Sequence, residues 1–166
     1  LKSEGQIAEL EYLLGKLDKE MDDDMILLAK LHPFVKNAFD LEKFTHIQGF
    51  PGEFDSYEVL GAADGLITDY SSVAMDFAYM RKPVLYYQFD YEQFRKGHMG
   101  EGYYDYEQDG FGPICSNENE LIQALEKTAS EDFCMEHQYT KRCDAFFYYH
   151  DRNYCKRNYE AIKKLK

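Results

Sequence analysis

Apolar residues recur every three or four positions near the start of the chain and then gather in short continuous runs. The first pattern comprises Ile7, Leu10, Leu14, Leu17 and Met21. This spacing predicts an amphipathic helix with one buried face. Residues 25–31 form a nearly continuous apolar run, which predicts a strand covered on both faces, as in a parallel sheet. Similar short runs predict further strands over residues 45–48, 66–68, 84–87 and 114–115.

Helical patterns separate these predicted strands. They cover residues 57–63, the stretch from Val73 to about Lys82, and residues 117–129, while 34–44 is predicted as a loop with a helical turn. Two further helical segments, at about 131–147 and 151–165, finish the chain. This alternation is typical of a three-layer, Rossmann-like α/β fold with a parallel sheet and C-terminal helices. We predict one domain over residues 1–166, with 131–166 as a helical extension.

Composition and charge narrow the classes of function. A chain of 166 residues is long enough for one domain with a substantial core. Its 15 Tyr and 12 Phe residues predict aromatic side chains lining a groove or an interface. The net charge of −12 argues against a nucleic-acid surface, because phosphate backbones are bound by Lys and Arg. An anionic ligand would need a local basic site.

The cysteines do not have the spacing of a metal site. Cys134 and His137, with Cys143 and Cys155 downstream, lack the tight paired spacing of structural zinc ligands. We therefore predict free thiols of an intracellular protein and no metal. The sequence contains no signal peptide and no apolar run of transmembrane length. It begins at Leu1 without a methionine, and we interpret it as a fragment of a longer protein.

The stretch from Gly65 to Ala78 is the main candidate for chemistry. Its apolar start reads as a buried strand, followed by a polar turn and a helix with Ser71 and Ser72 at its N-cap. The amide groups at the start of a helix bind anions well. Simple capping of the helix by the two serines remains the alternative explanation.

Three polar groups are expected at the same edge of the sheet. His32 ends the first strand, the 68–72 turn follows another, and a Gly- and Tyr-rich loop over residues 90–113 follows a third. Ligands of open parallel sheets bind beyond the carboxyl ends of the strands, so His32, the serines and Arg95 predict a diphosphate site. Each residue also has a structural alternative, such as a surface ion pair for Arg95. The sequence has no GxGxxG or Walker motif and no convincing Ser/His/Asp triad.

These motifs, in this order, resemble one family. The resemblance is carried by His32-Pro33, by Leu66-Ile67-Thr68-Asp69-Tyr70-Ser71-Ser72-Val73-Ala74-Met75-Asp76-Phe77-Ala78, by Lys82-Pro83-Val84, and by Asp90-Tyr91-Glu92-Gln93-Phe94-Arg95 continuing to Gly110-Phe111-Gly112-Pro113. It extends from about residue 25 to residue 125. The sequence resembles the CDP-glycerol glycerophosphotransferases of teichoic-acid synthesis.

The resemblance implies the C-terminal, nucleotide-donor half of a GT-B architecture. It also implies transfer of glycerol phosphate from CDP-glycerol, with loss of CMP, to a lipid-linked polymer at the cytoplasmic face of the membrane. No cofactor is implied. The site residues that it implies are His32 as the catalytic residue and, for donor binding, Thr68, Asp69, Ser71, Ser72, Asp76, Arg95, Gly110, Gly112 and Pro113.

The sequence departs from the family pattern in two ways. The opening strand of the family's C-terminal half, with a Pro-Thr pair and an Arg, is absent, and so is the acceptor-side domain with its base and membrane-binding surface. We therefore expect an interrupted sheet, a peripheral membrane location only for the parent protein, and no activity from this soluble fragment alone. The alternatives left open are a CDP-ribitol or other CDP-polyol phosphotransferase and a non-catalytic α/β binding module.

Overall fold

The computed structural model of the protein describes residues 4–31, 40–92, 94 and 104–165. The strands are β1 (Leu27–Ala29), β2 (Ile47–Gly49), β3 (Leu66–Thr68), β4 (Val84–Tyr87) and β5 (Ile114–Cys115). The helices with described bounds are α1 (Glu4–Glu20), α2 (Ser56–Ala62), α3 (Val73–Tyr79), α4 (Tyr106–Asp109), α5 (Glu118–Ser130), α6 (His137–Phe146) and α7 (Tyr154–Lys163).

The strands of this structure pair in parallel. β1 pairs with β2, β3 pairs with β4 so that Leu66 lies opposite Val84, and β4 also pairs with β5. Each parallel neighbour is reached through a crossover of helix or loop, as such pairing requires. The predicted α/β fold with parallel strands is therefore confirmed.

Helices cover both faces of the β3–β5 sheet. Successive side chains of a strand point to opposite faces, so Leu85 packs against one helical layer and Val84 and Tyr86 against the other. The buried residues on the α1 and α5 side are Leu13, Leu17, Leu85, Cys115 and Leu121. Those on the α3 side are Ala74, Phe77, Val84 and Tyr86. Burial of each large apolar side chain contributes about 1.5–3 kcal/mol, so these two clusters hold the three layers together.

Side chains fix both ends of α2, the helix before β3. The Asp55 carboxylate accepts from the Tyr57 N–H at 2.8 Å, and Glu58 reaches back to the Asp55 N–H at 3.3 Å, which completes a capping box. At the other end the Lys82 ammonium donates to the carbonyls of Gly61 and Ala63, at 2.7 and 2.5 Å. A cation at the negative end of a helix is stabilising.

The sheet is divided into two parts. Strands β1 and β2 form one, and strands β3, β4 and β5 form the other, in that order. Between them lies an apolar groove with a volume of about 410 Å³.

The backbone of β1 presents one edge to this groove. The Leu27 N–H donates to the His46 carbonyl at 2.8 Å, and the Ala29 carbonyl accepts from the Phe50 N–H at 3.1 Å, so both residues bond toward β2. Backbone groups of successive residues in a strand point to opposite sides. The N–H and C=O of Leu28, which lines the groove, therefore point away from β2.

The backbone of β3 presents the opposite edge. The Leu66 N–H donates to the Pro83 carbonyl at 3.0 Å, toward β4. The N–H and C=O of Ile67, which also lines the groove, consequently point away from β4. Two parallel strand edges thus face one groove, and Leu27 and Ile67 beside it pack against the buried residues on the α1 and α5 side.

Two predictions about local structure were wrong. The first strand is not covered on both faces: Ile26 is 62% exposed and Leu28 is 36% exposed, because the groove leaves this edge of the sheet open. The 90–113 segment is more than a loop, because it contains the short helix α4. The Asp105 carboxylate caps this helix by accepting hydrogen bonds from the amides of Glu107 and Gln108. Within the described residues, no helix has the length and apolar character needed to cross a bilayer.

Candidate functional site

The 68–72 turn lies at the carboxyl end of β3, as predicted. Thr68, the last residue of β3, is half-buried, whereas Asp69, Ser71 and Ser72 are exposed. The turn leads directly into α3, and Asp76 lies exposed in the first turn of that helix. Five of the predicted site residues therefore lie in this one segment, and four of them are exposed.

The two serine side chains contribute little to capping α3. Ser72 occupies the N-cap position but makes no side-chain hydrogen bond to the helix. The Ser71 hydroxyl accepts from the Val73 N–H at 3.4 Å, beyond the usual length of such a bond. The amides of Ala74 and Met75 donate instead to the backbone carbonyls of Ser71 and Ser72. Both hydroxyls therefore keep donor capacity toward solvent.

The buried side chain of Gln88 supports the turn from the interior of the protein. It follows β4 and is buried, and its side-chain amide donates to the Asp69 carbonyl at 3.3 Å. Its own N–H donates to the Cys115 carbonyl of β5 at 2.9 Å. One buried residue thus connects the ends of β3, β4 and β5. A buried amide side chain is stable only when it is hydrogen-bonded, and the Asp69 carbonyl supplies that bond for Gln88.

An aromatic cluster fixes the middle of the turn. The Tyr70 ring stacks on Phe94 with ring centroids 3.7 Å apart, and it meets the edge of Tyr106 at 6.2 Å. The Tyr70 hydroxyl donates to the Asp90 carboxylate at 2.8 Å. Burial, and then the bond to Asp90, raise the pKa of Tyr70 well above its ordinary value, so the phenol stays a neutral donor.

The segment 110–113 lies at the opposite edge of the sheet from the 68–72 turn. It enters β5, so Gly110, Gly112 and Pro113 lie at the amino edge of the sheet, whereas the 68–72 turn lies at the carboxyl edge. A Cβ atom on the buried Gly112 would lie 1.6 Å from the carbonyl oxygen of Val84, the first residue of β4. Close approach of two backbones explains this glycine without any ligand. Donor binding by these three residues stays a prediction, and the structure does not bring them to the turn.

His32 and Arg95, the two predicted cationic residues, lie outside the described residues. The charged side chains of the turn and of the start of α3 that the structure does describe, Asp69 and Asp76, are carboxylates. A diphosphate at this edge would therefore need a cation from beyond the described part of the site, in addition to hydroxyl and amide donors. In the described ranges, no three His, Cys, Asp or Glu side chains are grouped to hold a metal ion.

Sequence analysis did not predict the supporting residues Gln88, Tyr70 and Asp90. The signal for Gln88 and Asp90 was their place directly after the strand 84–87, at the edge where β3 ends. Tyr70 belongs to the 66–78 motif, but the motif alone indicates no role for it. Its pairing with Asp90 spans 20 residues of sequence, so only the tertiary structure reveals it.

Comparisons with known proteins found a matching family model and similar proteins. The family model described as CDP-Glycerol:Poly(glycerophosphate) glycerophosphotransferase matches residues 3–164. The minor teichoic acid biosynthesis protein GgaB of Bacillus subtilis (strain 168) is 39% identical over 136 residues, which cover 81% of this chain and 15% of GgaB. The teichoic acid poly(glycerol phosphate) polymerase of the same strain is 33% identical over 144 residues, covering 84% of this chain and 19% of the polymerase.

A solved structure is similar as well. The wall teichoic acid polymerase TagF superposes with a TM-score of 0.70 and 27% sequence identity, over 92% of this chain and 38% of TagF. The chain thus spans less than a fifth of the two curated relatives named above. Over nearly its whole length, nevertheless, it belongs to the CDP-glycerol:poly(glycerophosphate) glycerophosphotransferase family.

Proposed function

We propose that this chain is the donor-binding part of an enzyme that transfers glycerol phosphate from CDP-glycerol to the hydroxyl end of a teichoic-acid-type polymer and releases CMP. The observation that carries the proposal is the 68–72 turn. Its Ser71 and Ser72 hydroxyls are exposed, barely used for capping, and held in place from behind by Gln88 and the Tyr70–Asp90 pair.

The proposed chemistry suits such a turn. Transfer of a phosphoryl group depends mainly on positioning and on stabilising charge. In the proposed site, Ser71 and Ser72 donate to the diphosphate of the donor, while His32, as the catalytic residue, and Arg95 supply the cationic groups that the turn lacks. Thr68 and Asp69 shape the turn, and Asp76 lies beside it in α3. Donor binding by Gly110, Gly112 and Pro113 is proposed from the resemblance alone, because they lie at the opposite edge of the sheet.

The acceptor is proposed to bind to another part of the longer protein. The chain is proposed as a single donor-binding domain over residues 1–166, located with its parent at the cytoplasmic face of the membrane. A lipid-linked polymer is the proposed acceptor, and the isolated chain is expected to bind donor without transferring its glycerol phosphate.

Calorimetric titration tests the proposal. CDP-glycerol, CDP-ribitol and CMP are titrated into the full-length protein, with glycerol 3-phosphate as the control for binding of a phosphate alone. Tightest binding of CDP-glycerol is expected. Tighter binding of CDP-ribitol would indicate that the donor is CDP-ribitol instead of CDP-glycerol. No binding of CMP or of either CDP-alcohol would contradict the proposal and favour a non-catalytic binding module.

A further inference from the structure

Gln88 is the one buried polar side chain among the residues that the structure describes, with 4% of its surface exposed. It directly follows β4, at the edge of the sheet where the 68–72 turn lies. Burying an amide costs free energy that an apolar side chain of similar length would not cost. The position of Gln88 therefore indicates a role that needs its hydrogen-bonding groups.

Two hydrogen bonds fix Gln88 relative to the turn. Its backbone N–H donates to the Cys115 carbonyl at 2.9 Å, which attaches the residue to the end of β5. Its side-chain amide donates to the Asp69 carbonyl at 3.3 Å. Because the sheet holds the backbone of Gln88, the side chain meets the turn from a fixed place.

The bond to Asp69 sets the orientation of the Asp69–Tyr70 peptide. The C=O and N–H of a trans peptide lie in one plane and point in opposite directions, and no peptide bond of the described chain is cis. Since the Asp69 carbonyl points toward the buried Gln88, the Tyr70 N–H points away from it. No group of the described residues accepts a hydrogen bond from this N–H, so it can donate to a ligand.

Asp90 holds the next residue of the turn. It lies two positions after Gln88, and its carboxylate accepts from the Tyr70 hydroxyl at 2.8 Å. Gln88 and Asp90 thus hold consecutive residues of the turn, Asp69 by its carbonyl and Tyr70 by its side chain. The direction of the Tyr70 N–H is therefore set before a ligand binds. Donors that are already oriented bind an anion more tightly, because binding does not have to order them.

We propose that Gln88 is a positioning residue of the donor site, which orients the Asp69–Tyr70 peptide so that the Tyr70 N–H donates to the diphosphate beside the Ser71 hydroxyl. Gln88 itself does not touch the donor. The inference rests on the proposed function, because the ligand that it concerns is CDP-glycerol. The competing explanation is that Gln88 only joins the ends of three strands.

Calorimetric titration of CDP-glycerol into the full-length protein tests the inference. Gln88→Met keeps the length of the side chain but cannot donate, and we expect it to lower CDP-glycerol affinity about tenfold. Leu17→Val is the control. Leu17 is 1% exposed, and its buried cluster contains no residue of the 68–72 turn. This variant should lower the midpoint of urea unfolding and leave CDP-glycerol affinity unchanged.

Gln88→Glu adds a readout that pH controls. An ionised carboxylate cannot donate to the Asp69 carbonyl, whereas a protonated carboxyl can. Burial raises the pKa of such a carboxyl, so its protonated form is accessible in mildly acidic solution. We expect weak CDP-glycerol binding by Gln88→Glu at pH 8 and recovery toward the affinity of the unaltered protein at pH 5.5. The affinity of Gln88→Met relative to the unaltered protein should not change between these pH values.

Three outcomes would overturn the inference. They are unchanged CDP-glycerol affinity in Gln88→Met, an equal loss of affinity in Leu17→Val, and equal recovery of Gln88→Met and Gln88→Glu at pH 5.5. No binding of CDP-glycerol by the unaltered protein would contradict the proposed function, and the inference with it. Circular dichroism confirms that each variant is folded at the temperature of the titration, and the two pH values compare Gln88→Glu with itself.

Discussion

The Tyr70 hydroxyl donates a 2.8 Å hydrogen bond to Asp90, and so ties the turn after β3 to the segment after β4. The two residues lie 20 positions apart in sequence. A hydroxyl–carboxylate bond of this kind, combined with stacking of the Tyr70 ring on Phe94, restricts the backbone of the proposed diphosphate-binding turn.

Loss of the Tyr70 hydroxyl should loosen this turn. We expect Tyr70→Phe to lower the free energy of unfolding by about 1 kcal/mol, because the ring contacts remain and one hydrogen bond is lost. Urea unfolding of Tyr70→Phe, Asp90→Asn and the double variant measures the coupling between the two groups. Tyr57→Phe serves as the control, since Tyr57 is 71% exposed. Strictly additive effects of the two single changes would show that the bond does not contribute to stability.

The serine hydroxyls should matter more for donor binding than for stability. Their capping bonds are long or absent, so Ser71→Ala and Ser72→Ala should each cost less than about 1 kcal/mol of stability. Loss of a charge-assisted hydrogen bond to the diphosphate, about 1.5–3 kcal/mol, should weaken CDP-glycerol affinity at least about tenfold. Calorimetric titration of the full-length protein measures the CDP-glycerol affinity of both variants.

Glycine substitutions at the same positions separate the two roles. Glycine at an N-cap costs only a few tenths of a kcal/mol but lacks the hydroxyl. Ser71→Gly and Ser72→Gly should therefore lose donor affinity as the alanine variants do. Unchanged affinity in all four variants would return Ser71 and Ser72 to a purely structural role.

Gly112 and Gly61 should respond in opposite directions to the same change. In Gly112→Ala the new methyl group would meet the Val84 carbonyl at 1.6 Å, so we expect a loss of about 2 kcal/mol or more. At Gly61, inside α2, no atom lies within 4 Å of the position that a methyl group would occupy, so Gly61→Ala should stabilise by about 0.5–1 kcal/mol. Thermal unfolding measures both. An unaffected Gly112→Ala variant would contradict the close packing of the 110–113 segment on β4.

The strand edges at the groove should exchange their amide hydrogens quickly. The amides of Leu28 and Ile67 point into the groove, whereas those of Leu27 and Leu66 are bonded to His46 and Pro83. Hydrogen exchange followed by NMR should therefore show stronger protection of Leu27 and Leu66 than of their neighbours. Equal protection within each pair would mean that the groove edges are covered in solution.

Stability should fall in alkaline solution. Burial raises the pKa of Tyr87 to about 12, and of Cys115 and Cys143 to about 11, from ordinary values of 10.0 and 9.0. Between pH 9 and 12 the unfolded chain therefore releases protons that the folded chain retains, so the free energy of unfolding decreases as pH rises. Urea midpoints at rising pH measure this slope, which Tyr87→Phe should make shallower. A midpoint independent of pH over this window would contradict the assigned burial.

Local patterns in the sequence were sufficient for most of the secondary structure. The steps of four and three from Leu10 to Leu14 and Leu17 predicted α1, and the apolar runs predicted the strands, because the period of burial differs between helix and strand. The prediction made from the run at residues 25–31 was wrong in one respect. Its apolar character predicted two covered faces, but Ile26 and Leu28 remain partly exposed beside the groove. Coverage depends on which elements lie next to a strand, and a local pattern does not contain that information.

By itself, the sequence determined the parallel α/β class, the place of the 68–72 turn at the end of a strand, and the family. Only the tertiary structure decided that Gln88 and Asp90 hold this turn, and that Gly112 lies against Val84 at the other edge of the sheet. The reason is physical. Helix and strand patterns arise from neighbours in the chain, whereas the side chains that support a site come from separate strands that the packing of the sheet brings together.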